Sequence, residues 1–133
     1  MELIVLVATL ALVQFIYFSI SVGRARAQYG IKAPQMSGHP VFERHVRVQM
    51  NTLEQLVVFL PVLFMYAWAS ENQGWAGYKI GAAMGVVWII GRTIYARAYI
   101  KDPASRSAGF MITFVPTAIM MVGTLVAVFK SLL

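Results

Sequence analysis

Residues Phe42–Pro61 read FERHVRVQMNTLEQLVVFLP, a stretch that starts charged and ends in an apolar run. On an α-helix, Arg47, Asn51 and Glu54 share one face because they are spaced i, i+4 and i+7. Ionisable groups at membrane depth are costly, and they usually face a bundle interior and mark a site. If this helix enters a membrane, the stretch predicts a polar site along one of its faces.

The composition puts the chain in the membrane class. Hydrophobic residues make up 59% of the 133 residues and charged residues only 12%, about half the charged share of a soluble domain. The net charge is +6, and the basic residues lie between apolar runs. We therefore expect them to contact lipid headgroups and not nucleic acid. The chain has no cysteine, and His39 and His45 lack the spacing of a zinc site. We expect no metal.

Apolar runs of spanning length predict an all-α integral membrane protein with a four-transmembrane-helix bundle. Leu3–Val22 is uncharged and has the roughly 20 residues that cross a hydrocarbon core of about 30 Å. Gly23–Val41 and Ile100–Ser107 contain Gly, Pro and basic residues and are expected to be loops. We predict one domain, residues 1–133, with helices at about 3–22, 42–70, 78–99 and 108–129.

The basic residues are unevenly distributed along the chain. Most lie in or beside the first and third connections between helices, and Lys79 and Lys130 are the exceptions. Because excess Lys and Arg mark the cytoplasmic side of a membrane, we expect both connections in the cytoplasm. Both termini would then lie on the opposite side, which in a bacterium means the far side of the inner membrane.

Two interpretations of the Arg47, Asn51 and Glu54 face are open from the residues alone. The three side chains could pin helices together by mutual hydrogen bonds. Alternatively, they form a pocket for a small zwitterion, in which an arginine binds a carboxylate in bidentate fashion and a glutamate receives an ammonium group. The second interpretation is favoured because charges buried in membranes are usually functional.

Arg92, Tyr95 and Tyr99 on the third helix also allow two interpretations. Their spacing alone favours an interfacial aromatic belt with an arginine that snorkels to the headgroups. The alternative is that the phenol hydroxyls donate to an anion, because this face ends at the same membrane side as Arg47. Arg106 and Arg26 lie at that side too, and together the guanidinium groups suggest an anionic ligand.

Phe42–Pro61 resembles the signature of the membrane-associated proteins in eicosanoid and glutathione metabolism (the MAPEG family), which is close to FER..R.Q.N..E...F. Two further stretches are similar to the family. Tyr17–Arg26 reads YFS followed by basic residues, and Gly91–Tyr99 reads GR..Y...Y, with Arg106 seven residues further on. The resemblance covers nearly the whole chain. It implies a four-helix protomer that assembles as a homotrimer, with glutathione bound between protomers near one membrane face.

The same resemblance implies roles for particular residues. Arg106 matches the arginine that holds the glutathione thiolate, and is the expected catalytic residue. Arg26 matches a basic contact from the neighbouring protomer. Further glutathione-binding contacts are matched by Arg47, Gln49, Asn51, Glu54, Tyr95 and Tyr99. Gln55 and Ala27 depart from the leukotriene-synthase branch, which has a tyrosine and an arginine there, so detoxification is favoured over leukotriene synthesis.

The function that the resemblance implies is a membrane-bound glutathione transferase. It would join the glutathione thiolate to lipophilic electrophiles, with reduction of lipid hydroperoxides as a second, peroxidase activity. A proton-coupled multidrug-type transporter is an alternative, since four short helices and Glu54 would suit proton-driven export, although Arg47 on the same face favours an ion pair. A non-catalytic member that binds a lipid or glutathione is a further alternative.

Overall fold

The computed structural model describes residues 1–133 and contains four long helices. They are α1 (Glu2–Gln28), α2 (Pro40–Asn72), α3 (Gly77–Lys101) and α4 (Ser107–Leu132), and the turn Pro103–Arg106 is a short 3-10 helix. The predicted all-α, four-helix fold is confirmed. Pro61 lies within α2 and Pro116 within α4, and both helices continue past them.

Three segments are long and apolar enough to cross a membrane. They are Glu2–Gln28, Pro40–Asn72 and Pro103–Leu132. The third helix, α3, is less apolar because it carries four basic residues, although its 25 residues give a length of about 37 Å, sufficient to cross. It packs against all three other helices, so much of its surface faces protein instead of lipid.

The first predicted loop is shorter than Gly23–Val41. α1 continues to Gln28, because a single glycine within a helix costs only about 1 kcal/mol and the flanking Ala and Arg residues are good helix formers. α2 starts early because His39 Nδ1 accepts a hydrogen bond from the Val41 backbone N–H (3.2 Å) and Pro40 occupies the first turn, where proline is favoured. Arg26 therefore lies on a helix and not in a loop.

The core lies at the centre of the bundle and away from the basic loops. Phe59 of α2 and Trp88 of α3 stack with ring centroids 4.2 Å apart, and both side chains are fully buried. α1 approaches α3 closely at Gly85, where an added Cβ would lie 2.4 Å from Val7 Cγ1. Small residues at such crossings let membrane helices make extensive van der Waals contact.

The first and third connections lie at one end of the bundle, which we call the basic end. The Arg44 guanidinium at the start of α2 donates to the backbone oxygens of Ile100 and Lys101 at the end of α3, both at 3.0 Å. These bonds join two segments that are far apart in sequence. The candidate site lies at this end.

Candidate functional site

A polar cleft with a volume of about 390 Å³ lies between α2, α3 and the start of α4. It brings together four of the eight predicted site residues, contributed by three separate elements. The lining side chains are Asn51, Glu54, Gln55, Arg92, Tyr95, Arg106 and Phe110. We call this cavity the polar cleft.

The turn before α4 holds Arg106 at the polar cleft. The Asp102 Oδ1 atom accepts a hydrogen bond from the Ala104 backbone N–H (3.0 Å), and the Ser105 hydroxyl donates to the Asp102 backbone oxygen (2.7 Å). Gly109 then brings α4 against α3, because an added Cβ there would lie 2.4 Å from the Tyr95 backbone nitrogen. This close approach positions Arg106 on the same cavity as Tyr95.

Tyr95 is part of the protein interior and not of an interfacial belt. Its side chain is 3% exposed, and its hydroxyl accepts a hydrogen bond of 2.6 Å from Asn51 Nδ2. Tyr99 is also buried, with its ring centroid 5.6 Å from that of Tyr95. The interpretation as an aromatic belt is wrong, because the α2–α3 contact covers this face of α3.

Arg92 is a cleft residue that sequence reasoning did not assign to the site. Its side chain is 1% exposed, and its guanidinium lies 4.1 Å from the Tyr95 ring centroid and donates to Thr52 Oγ1 (2.8 Å). Its Nε has no hydrogen-bond partner. The expected snorkelling to the headgroups does not occur. In the sequence, Arg92 is the one charged residue in the run Ile80–Ile94, and this feature could have indicated a site residue.

Arg47 and Tyr99 lie in a second cavity next to the polar cleft, nearer the basic end. This cavity, which we call the loop cleft, has a volume of about 520 Å³ and is also lined by Met36 and Arg44. Tyr99 links the two cavities, since the Arg106 guanidinium lies 5.9 Å from its ring centroid. The predicted site is therefore divided over two adjoining clefts.

Arg47 and Glu54 line different clefts. The ion pair expected from their shared helix face does not form, because seven residues along a helix separate the backbones by roughly 10 Å. Asn51, between them, bonds to Tyr95 instead of bridging them. The two charges thus remain available for groups that are not part of α2.

Gln49 and Arg26 lie outside both clefts. Gln49 Nε2 contacts Ser19 Oγ on α1 at 3.5 Å. Arg26 donates to the backbone oxygen of Gln35 (2.7 Å), and its guanidinium lies 4.9 Å from the Phe42 ring centroid. Within one copy of the chain, these two predicted residues do not share a cavity with Arg106.

The chain has no group of three or more His, Cys, Asp or Glu side chains that could hold a metal ion. The donors that line the polar cleft are instead amide, carboxylate, guanidinium and phenol groups. Such a set suits an organic ligand with charges of both signs.

Comparison with known proteins identifies the family of the chain. Residues 4–126 match the model of the MAPEG family. The chain belongs to the MAPEG family. The match extends over all four helices of this MAPEG protein, and confirms the resemblance seen in Phe42–Pro61.

Individual relatives of this MAPEG chain come from bacteria and mammals. An uncharacterised protein of Synechocystis is 39% identical over 127 residues, which cover 96% of this chain and 88% of that protein. Human microsomal glutathione S-transferase 2 is 34% identical over 111 residues, covering 84% and 71%. Bovine leukotriene C4 synthase is 33% identical over 92 residues, covering 69% and 57%.

Proposed function

We propose that this MAPEG protein is a membrane glutathione transferase. The observation that carries the proposal is the polar cleft, where Arg92 and Arg106 come together with Glu54 and Tyr95. Relatives named microsomal glutathione S-transferase 2 and leukotriene C4 synthase support glutathione as the co-substrate. The reaction joins the glutathione sulfur to a carbon of a lipophilic electrophile.

The two adjoining clefts suit an extended tripeptide with charged ends. Three residues reach about 10 Å, which matches the separation of roughly 10 Å between Arg47 and Glu54 along α2. Arg47 binds a glutathione carboxylate, since guanidinium and carboxylate form bidentate pairs, and Glu54 receives the ammonium group. Asn51, Tyr95 and Tyr99 hold the backbone between these ends.

Arg106 activates the thiol. A free thiol has a pKa of about 8.5, and neighbouring cations lower it, so a guanidinium beside the sulfur favours the thiolate. Arg92, buried on the wall of the same cleft, adds a second positive charge. The thiol proton leaves to solvent, the thiolate forms a carbon–sulfur bond, and the leaving group of the electrophile departs with its electron pair.

A second copy of the chain completes the site. Glu54 and Arg106 are exposed in the single chain, and a charged side chain within a spanning helix, such as Glu54 in α2, costs up to about 2.5–3.5 kcal/mol where it faces lipid. Covering the polar cleft with another protomer of a homotrimer removes this cost. Arg26 and Gln49 of that protomer, which are outside the clefts of their own chain, then contact the same glutathione.

The orientation we propose puts the basic end and its clefts in the cytoplasm, because excess Lys and Arg mark that side. Glutathione then enters from water. The lipophilic electrophile, or a lipid hydroperoxide in the peroxidase reaction, enters from the bilayer in which it concentrates. General detoxification suits the departures at Gln55 and Ala27.

The test is the ultraviolet difference spectrum of bound glutathione. Purified protein in detergent is mixed with glutathione, and we expect the absorbance of a thiolate at a pH where free glutathione is mostly protonated. S-methyl glutathione, which has no ionisable thiol, is the matched control and should give calorimetric binding without the thiolate band. Absence of binding by both ligands would refute the proposal.

Proton-coupled export is the second candidate function, and one observation favours it. Glu54 has no arginine partner on α2, since Arg47 lines another cleft. Flux of an organic cation driven by a proton gradient in liposomes, and lost in Glu54→Gln, would support it. Turnover that depends on glutathione in detergent, without any gradient, would instead support the transferase. Binding without thiolate formation would indicate the non-catalytic alternative.

A further inference from the structure

An apolar groove lies on the other side of α3, between α1, α2 and α3. It has a volume of about 470 Å³ and is lined by no carboxylate. Leu10, Val13 and Ile89 line its apolar part, while His45 and Arg97 lie at the basic end. None of its lining residues belongs to the polar cleft or the loop cleft, so the groove is a separate cavity.

The dimensions of the groove correspond to one half of a bilayer. The distance from Leu10 to Ser21 along α1 is roughly 16 Å at the rise of a helix, and half of a hydrocarbon core is about 15 Å. Its volume lies within the range of about 300–1,000 Å³ that is usual for small-molecule sites. A hydrocarbon chain that extends from the headgroup level to the bilayer centre therefore fits its length.

The polar groups of the groove favour a particular head. Arg97 is exposed and His45 half-buried, and both are at the headgroup end. Deeper in the groove, Gln14 Nε2 donates to the Ile89 oxygen (2.9 Å) and to Thr93 Oγ1 (2.8 Å), whereas Gln14 Oε1 is buried without a donor. Thr93 is one helical turn, about 6 Å, from Arg97. The Gln14 amide is thus held against α3, and Arg97 and His45 are the groups that remain for the head of a ligand.

We propose that this groove binds a lysophospholipid with an anionic head. The single hydrocarbon chain lies along Leu10, Val13 and Ile89, and the phosphate contacts Arg97 and His45. The site is independent of glutathione, and its occupant comes from the membrane in which the protein lies. Charge complementarity favours an anionic head over a zwitterionic one, and the length of the groove suits a hydrocarbon chain.

Native mass spectrometry of the full chain in detergent tests the headgroup contact. Lysophosphatidylglycerol should bind about five-fold tighter than lysophosphatidylcholine of equal chain length, since one arginine near anionic lipid contributes about 1 kcal/mol. Arg97→Gln should abolish this preference, whereas Arg24→Gln, an exposed basic residue that does not line the groove, should keep it. Equal effects of the two substitutions would mean unspecific attraction to the basic end and would overturn the proposal.

A second pair of variants tests the location of the chain. Val13→Trp fills the groove and should reduce lysophosphatidylglycerol binding at least ten-fold. Leu12→Trp places the same tryptophan side chain on an exposed position outside the groove and should not reduce binding. Retention of binding in Val13→Trp would overturn the proposal.

Single cysteines provide a readout that does not depend on large substitutions, because the chain has no native cysteine. Lysophosphatidylglycerol should slow the alkylation of Val13→Cys and leave that of Leu12→Cys unchanged. Equal alkylation rates with and without the lipid would overturn the proposal. Rapid disulfide formation between two copies of Val13→Cys would do so as well, since a second chain would then occupy the groove.

Discussion

The polar cleft and the apolar groove lie on two sides of α3 and are lined by α2 and α3 in common, yet they differ in chemistry. Arg92 and Tyr95 face the first cavity, and Thr93 and Ala96 face the second. The volumes are similar, at about 390 and 470 Å³. Charge at depth occurs only in the polar cleft. Volume alone therefore does not distinguish the two cavities, whereas the type of residue that lines each of them does.

Arg106→Ala should give the largest difference between the two cavities, because it should disable the polar cleft and leave the apolar groove intact. Loss of a donor aimed at developing negative charge costs about 10²–10³ in rate, so we expect conjugation of an aryl halide to fall by this factor. Arg106 is exposed and does not line the apolar groove, so lysophosphatidylglycerol binding should be unchanged. A rate within three-fold of wild type, from protein that still binds glutathione, would contradict the assignment of Arg106.

Gly109→Ala should damage the polar cleft through the backbone. An added Cβ would lie 2.4 Å from the Tyr95 nitrogen and 2.5 Å from its Cα, and backbone atoms cannot move aside as a flexible side chain can. Overpacking of this kind costs about 1–3 kcal/mol, so thermal unfolding in detergent should shift downward and conjugation should weaken. Gly23→Ala is the matched control, because its Cβ meets nothing within 4 Å and should slightly stabilise α1. Equal shifts for both variants would refute a role for the α3–α4 contact.

The fold was predictable from the sequence to a large extent. Long apolar runs broken by basic, Gly- and Pro-containing segments predict a helical bundle in a membrane, and four helices are observed. We predicted that α1 ends at Val22, whereas it ends at Gln28. Arg24 and Arg26 suggested a loop, but arginine is a good helix former.

The candidate site was predictable where helical spacing determines it. Asn51 and Glu54 line one cleft, as their three-residue spacing allows, whereas Arg47, which shares their helix face, lines the other. The burial of Arg92 was not predictable, since an arginine near a helix end snorkels or turns inward depending on which neighbour covers it. Gln49 faces α1, as helical spacing indicates, because it lies about 200° around α2 from Arg47; the resemblance, and not the spacing, assigned it to the site.

Arg92→Met tests whether the buried arginine of the polar cleft serves ligand binding or the stability of the fold. A buried charge without an ionic partner contributes little to stability, and an apolar residue of similar volume often replaces such a group without loss. Thermal unfolding should therefore change little. Hydrogen bonds to charged groups contribute about 1.5–3 kcal/mol, so glutathione affinity measured by calorimetry should fall about ten-fold or more.

Arg92→Lys is the informative companion variant. Lysine keeps the charge but lacks the planar group that lies over the Tyr95 ring, so we expect an intermediate affinity. A large loss of stability in Arg92→Met with unchanged glutathione affinity would make Arg92 a structural residue and not part of the site.

Tyr95→Phe gives the smallest expected effect, and it tests whether the cleft is organised before the ligand arrives. The substitution removes the hydroxyl that accepts the 2.6 Å bond from Asn51 and leaves the ring beneath Arg92. One neutral hydrogen bond contributes about 1 kcal/mol, so glutathione affinity should fall about five-fold. Tyr17→Phe removes a hydroxyl from a residue of the apolar groove and should leave glutathione binding unchanged. If the two variants bind glutathione equally, the Asn51–Tyr95 bond does not organise the cleft, and the guanidinium groups alone distinguish it from the groove.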